Sequence, residues 1–237
     1  MNYAVDLHIH SALSPCADKD MTPNNIVNMA VLKGLDAIAV TDHNSAANLQ
    51  AISICAQKCG LVFIPGMEVE TYEEIHIVCL MPDLERMSCF HDVVRQAMPR
   101  LENRPDIFGR QLIMDENDNI VGEEPMMLLT ASRLTVDDVI GLARKLDGAA
   151  IPAHVDRSSY SIISNLGFVP EEFGFRYLEI SRDCDEPMFR SVHPEFDRYQ
   201  FVRSSDAHYL GDILERECML EIDELSPEAI ISRLACR

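Results

Sequence analysis

Three times along this chain of 237 residues the same order recurs: a helix closed by glycine, a short uninterrupted apolar strand, then a side chain able to bind metal. Thr22-Pro23 reads as an N-cap and first helical position. Ile26, Val27, Met29, Ala30 and Leu32 follow on a helical period, Gly34 closes the helix, and Leu35 to Thr41 form a strand ending in Asp42-His43. A second helical stretch, from Asn44 through Cys59, ends at Gly60 and feeds Leu61 to Ile64, which leads to Gly66-Met67-Glu68. A third is capped by Thr135 with Asp138 at N3, runs to Asp147 and ends at Gly148; Ala149 to Ala153 then lead to His154. Continuous apolar strands alternating with helices belong to a parallel sheet buried on both faces. In a barrel of such units the strands' carboxyl ends share one mouth, where residues far apart in sequence meet.

The opening strand, Tyr3 to His8, runs into Asp6-Leu7-His8-Ile9-His10. Side chains alternate along a strand, so His8 and His10 point the same way and their rings can converge on one ion, with Asp6 and Ser11 near enough to support them. Of eight histidines, His8, His10, His43, His76, His154 and His208 lie in or beside apolar runs, several with a carboxylate next to them; His91 and His193 do not. That distribution argues for one shared metal cluster. Adding Ile75 to Leu80, Phe175 to Ile180 and Phe201 to Ser205 brings the strands to about seven, one short of the usual barrel. His76 opens its strand instead of closing it, and a tight pair of Val62–Glu70 with Ile75–Leu80 would let it face Glu68. The whole chain, 1–237, reads as one domain with an insertion at about 86–134. That insertion holds a helix around Phe90 to Met98 and a hairpin turn at Asp118-Asn119, placed to cover the mouth. Ser226-Pro227 caps a last helix whose Ile230, Ile231 and Leu234 are expected on the barrel's outside.

With 39 acidic against 20 basic residues the net charge is -19, which disfavours nucleic-acid backbone and anionic membrane as partners. A cluster of divalent ions reverses the field locally, so an anionic substrate stays compatible. The eight cysteines include no Cys-x-x-Cys pair, and no signal peptide or membrane-length apolar run is evident, so a cytoplasmic location is expected.

His8-x-His10, Asp42-His43, Gly66-x-Glu68, His76, His154 and Asp206-x-His208, taken together and in this order, resemble the polymerase and histidinol phosphatase (PHP) domain. The resemblance spans Asp6 to His208. It implies an α/β fold, a distorted (β/α)7 TIM-like barrel, with two to three divalent ions (zinc, manganese or iron) in a cleft at the strand ends. The implied ligands are His8, His10, Asp18, His43, Glu68, His76, His154, Asp206 and His208, with Glu68 bridging two ions. Asp18 is the nearest substitute for an aspartate that many members carry in a Ser-Asp-Gly sequence, with Asp20 the alternative. Cys16, in the same stretch, reads more simply as an uncoordinated thiol than as a ligand. The implied activity is metal-dependent phosphoester hydrolysis by a metal-bridging hydroxide, with Asp206 or His208 assisting proton transfer. Arg157, three residues after His154, and then Arg182 are the expected phosphate-binding cations. The expected substrate is a small phosphorylated metabolite or nucleotide, and a nucleic-acid polymer is the least attractive. Two other readings compete. An amidohydrolase-type enzyme lacks an obvious bridging lysine at a strand end, and a non-catalytic metal-binding module sits poorly with an intact histidine set.

Overall fold

The computed structural model describes residues 1–236. Its strands are β1 (Asn2–Ile9), β2 (Ala37–Val40), β3 (Val62–Glu70), β4 (His76–Leu80), β5 (Leu112–Met114), β6 (Ile120–Glu123), β7 (Ala149–Pro152), β8 (Tyr177–Ile180), β9 (Gln200–Arg203) and β10 (Met219–Glu221). One sheet runs β10-β1-β2-β3-β4-β7, and β8-β9 and β5-β6 form separate pairs. Hydrogen bonds join the β8-β9 pair to the large sheet on both sides: Val155 N donates to Glu179 O at 2.8 Å, and on the other side His10 N donates to Ala207 O at 2.9 Å and Ala207 N to His8 O at 3.4 Å. Seven strands, β1 to β4 and β7 to β9, therefore follow one another around a curled, barrel-like sheet. The β5-β6 hairpin stands outside it.

Helices Pro23–Leu32, Leu49–Cys59 and Val136–Lys145 cover the outer face. Thr22 and Thr135 cap the first and third, the latter with the reciprocal Thr135–Asp138 box. Two boundaries differ from the sequence reading. The second helix begins at Leu49, not Asn44, because Asn44 and Asn48 spend their side chains on distant backbone: Asn44 on Leu128 O and Thr130 O, Asn48 on Leu112 O and Met114 N. The third helix is closed by Asp147 in the left-handed region (φ 54°), not by Gly148. Gly148 is needed for space, since a Cβ there would come within 2.7 Å of Leu80 O.

Strand β4 runs antiparallel to both β3 and β7, with Glu70 opposite His76. A strand that enters the barrel at the mouth presents its first residue there, which is why His76 opens β4. The β1–β2 register slips between Asp6 and Ile9. Val5 and Leu7 pack in the inner cluster with Ala37, Ala39, Ile64 and Val78, whereas Ile9 packs with the outer helices. The slip therefore turns His8 and His10 inward. The last helix, Pro227–Leu234, does not lie outside as expected. Ile230, Ile231 and Leu234 join the inner cluster, because β10 brings the chain back along the amino end of β1.

The 86–134 segment packs onto the loops that carry the site. Leu112 N bonds to Ala12 O (2.9 Å), and Asn24 Nδ2 to Asp118 Oδ1 (3.1 Å). No helix among the described residues is long and apolar enough to cross a membrane, and all eight cysteines are free.

Candidate metal centre

Strands β1, β2, β4 and β7 deliver imidazoles to a single point, the carboxylate of Glu68 at the end of β3. Its Oε1 lies 2.8 Å from His76 Nδ1 and 3.3 Å from both His8 Nε2 and His154 Nε2; its Oε2 lies 2.9 Å from His43 Nδ1 and 3.4 Å from His10 Nε2. Asp206 Oδ1 is 3.0 Å from His10 Nε2 and 3.3 Å from His8 Nε2, and His208 packs its ring on His10 at 4.4 Å. Eight of the nine expected ligands thus meet. Asp18 does not join them: its Oδ1 accepts the Asp20 backbone N–H at 2.8 Å. Asp20 is exposed beyond it.

The rings are aimed by partners behind them. His8 Nδ1 meets Glu179 at 2.9 Å and His10 Nδ1 meets Ser14 Oγ at 3.0 Å; that hydroxyl in turn donates to Asp42 at 2.7 Å. His208 Nδ1 donates to Asp206 O at 2.8 Å. Each of these bonds engages Nδ1, and the Nε2 atoms of His8 and His10 face Glu68. Asp42 also binds Ser11 N and Oγ, so the Ser11–Ser14 loop is fastened under His10. Asp6 acts elsewhere, accepting from Ser205 N and Leu214 N and so positioning the Asp206 loop. His154 and Asp206 sit at φ 31° and 50°, backbone strain located where the donors must turn inward.

Glu68 is 1% exposed and neither of its oxygens has a hydrogen-bond partner; His154 Nδ1 is also buried without one. A buried carboxylate ringed by imidazole nitrogens is what a cation satisfies. The donor atoms fall into three groups, each within 4.8 Å: His8/His10/Glu68, His43/Glu68/His76 and His10/His43/His208. Their mixed nitrogen and oxygen character suits zinc, manganese or iron.

Burial works against charge on every ring, yet Glu179, Glu68 and Asp206 hold His8 well above the usual imidazole range. His10 falls well below it through burial and the facing His43 and His208. Against the same burial penalty, His76, His8 and His43 keep the Glu68 carboxyl well below its ordinary value. Burial pushes Glu70 up to about 7. For Cys16 burial is outweighed by contacts with His208 and His43, and the thiol falls to about 7.

A cavity of about 310 Å³ opens over the centre, walled by Cys16, Glu70, Leu129, Arg157 and Tyr160. Arg157 reaches in and pairs with Asp206 Oδ2. Arg182 does not reach this cavity; it bonds to Asp212 O at 3.0 Å and Oδ1 at 3.2 Å beside a neighbouring groove. Sequence reading gave no role to Glu179, Ser14 or Asp42. Glu179 carried a signal, a lone carboxylate inside the apolar run Tyr177-Leu178-Glu179-Ile180, and is 2% exposed.

Residues 6–166 match the PHP domain. The chain belongs to the PHP domain family. Among curated relatives, a "5'-3' exoribonuclease Rnm" of Salmonella typhimurium is 30% identical over 181 residues, covering 73% of this chain and 59% of that protein. The chain spans less than two thirds of the length of the curated relatives it matches first. Two solved structures share the fold over 98% of this chain. They are a lesion-specific endonuclease from Pyrococcus furiosus (TM-score 0.69, 21% identity, 55% of that chain) and a protein described as a metal-dependent phosphoesterase, from Bifidobacterium adolescentis (TM-score 0.60, 17% identity, 96% of that chain). A relative named an exoribonuclease and a structural neighbour named a lesion-specific endonuclease leave the expectation against nucleic acid without support.

Proposed function

We propose that the chain is a metal-dependent phosphoesterase whose centre is the ring of donors around Glu68. The observation that carries this reading is the buried, hydrogen-bond-free Glu68 carboxylate with five imidazole nitrogens within 2.8–3.4 Å. His8, His10, His43, Glu68, His76, His154, Asp206 and His208 would hold two to three divalent ions, of zinc, manganese or iron. When bound, such ions supply an activated water and a counter-charge for the phosphoryl oxygens.

The rest falls to the chain's own residues. Arg157, 43% exposed and anchored on Asp206, presents a planar fork to an entering phosphate at the cavity wall. Asp206, kept ionised by His8 and His10 in spite of burial, would serve as an anionic ligand and anchors Arg157. His208, 25% exposed at the mouth, would assist proton transfer only where it is not held as a ligand.

The cavity and the charge of -19 favour a small phosphorylated metabolite or nucleotide over a long duplex. The exoribonuclease relative supports a second reading, in which the end of a single strand enters the same cavity. Release of inorganic phosphate and of nucleotides, measured on monoesters, diesters and 5'-phosphorylated oligonucleotides before and after chelation, tests both. Turnover unchanged by chelation would refute the metal-dependent mechanism.

A further inference from the structure

We propose that the cavity between the helix Leu84–Ala97 and the segment 124–128 is a second ligand site, shaped for a nucleoside monophosphate and separate from the metal centre. It goes beyond the metal-centre reading and does not depend on it.

The cavity holds about 530 Å³, within the roughly 300–1,000 Å³ of small-molecule sites. It stands back to back with the metal cavity: His43 and Leu129 line that one, and their neighbours Asn44 and Leu128 line this one. Asn44 Nδ2 donates to Leu128 O at 2.9 Å and ties the shared wall together. Gln111, fully buried, donates to Glu124 O and Met126 O at 2.7 Å and accepts from Leu128 N at 2.9 Å, while Met127 N donates to Leu101 O at 2.9 Å. The walls are thus set before a ligand arrives.

Three features of the lining call for an occupant. Ser45 is 1% exposed and its hydroxyl has no hydrogen-bond partner, which costs stability unless something satisfies it. Arg95 and Arg100 make no hydrogen bond or ion pair with any described residue, in a chain whose Arg86, Arg104, Arg110 and Arg157 all hold carboxylates. Met98, Met126, Met127 and Leu128 add an apolar, polarisable surface.

Charge decides the class. Asp92, Glu102 and Glu124 share the lining with the two arginines, so a bare phosphate would meet more negative groups than positive ones. A nucleotide uses both signs. Its phosphate takes the guanidinium forks, its base offers N–H groups to a carboxylate or to Gln96, and its ring packs on the thioethers. His91, kept below the usual imidazole range by burial and by the charge of Arg95, adds a neutral ring to the same wall.

The test is calorimetric binding of the four ribonucleoside 5'-monophosphates to the whole chain after chelation, where neither turnover nor metal–phosphate contact contributes. Saturable one-to-one binding of at least one of them is expected, and none of inorganic phosphate. Arg95→Ala and Arg100→Ala each weaken it by about tenfold or more. Ser45→Ala weakens it too, yet raises the melting temperature of the free protein. Arg157→Ala, at the metal cavity, leaves it unchanged. No binding of any nucleotide, or binding that survives both arginine replacements and is lost in Arg157→Ala, overturns the site; inorganic phosphate that binds as tightly overturns the nucleotide class. Metal content of the reloaded chain reads the metal centre separately, and the Arg95 and Arg100 variants are expected to keep it.

Discussion

The floor of the site and its mouth are built in different ways. At the floor, His8 and His10 are fully buried, and each is fixed from behind by a chain of hydrogen bonds through Glu179 or through Ser14 and Asp42. At the mouth, Cys16, Arg157 and His208 keep partial exposure and hang on loops. The contrast is one of reorganisation. A donor whose partner is itself buried and bonded cannot turn away, so on the proposed reading the floor would set where cations sit. A donor on a loop can exchange one partner for another, as Arg157 would in leaving Asp206 for an entering phosphate, so on the proposed reading the mouth would set what is bound and turned over.

The contrast breaks most sharply at Glu68. Glu68→Gln removes the one charge that every inner ring faces, and activity is expected to fall by roughly three orders of magnitude, the scale on which an essential group acts. Metal content should fall with it, and a variant that keeps both would show that the floor is not the centre. Next comes Glu179→Gln, which leaves an acceptor for His154 N but removes the charge on His8 Nδ1. Competition with a chromophoric chelator should show affinity weakened by about 10- to 100-fold. Unchanged affinity would mean that the buried carboxylate has no influence on the ring it touches.

At the mouth, Arg157→Ala is expected to lower kcat/KM by about ten- to a hundredfold with metal content unchanged, the loss of a charge-assisted hydrogen bond. Arg182→Ala should cost less, in keeping with its place in the neighbouring groove. If Arg182→Ala proves the more damaging, the phosphate enters from the other side.

The smallest effect concerns stability. In metal-free protein Glu70 is raised by burial to about 7 from its ordinary value of 4.5, so the folded state holds a proton that the unfolded chain has released. Stability tied to this group is intact below about pH 4.5 and is lost as pH rises toward 7. Glu70→Gln should therefore gain on the parent across that window in chemical denaturation. A constant difference between the two proteins from pH 4 to 8 would mean that the carboxyl is not perturbed.

Much of this arrangement is written locally. The helix, strand and donor order at Thr22–His43 and Thr135–His154 can be read because caps and apolar periods lie within a turn or two of what they specify. The antiparallel β4 was foreseeable from the short Thr71–Glu74 connection. What escaped was set by long-range bonds. Asn44 and Asn48 look like helix starts until their side chains are seen holding a segment more than sixty residues away. Asp18 reads as a ligand until Asp20 N claims it, and the last helix reads as outer cover until β10 returns it to the inner cluster. Glu179 escaped because a buried acid in an apolar strand announces a partner without saying which.

The central claim is that the donors around Glu68 hold divalent cations. The most direct measurement is metal analysis of the purified chain combined with anomalous diffraction from its crystals. The account expects two to three ions, each bounded by the imidazoles and carboxylates named above, with the Glu68 carboxylate shared between two of them. Saturating zinc, manganese or iron that leaves no anomalous peak within reach of Glu68 would contradict it.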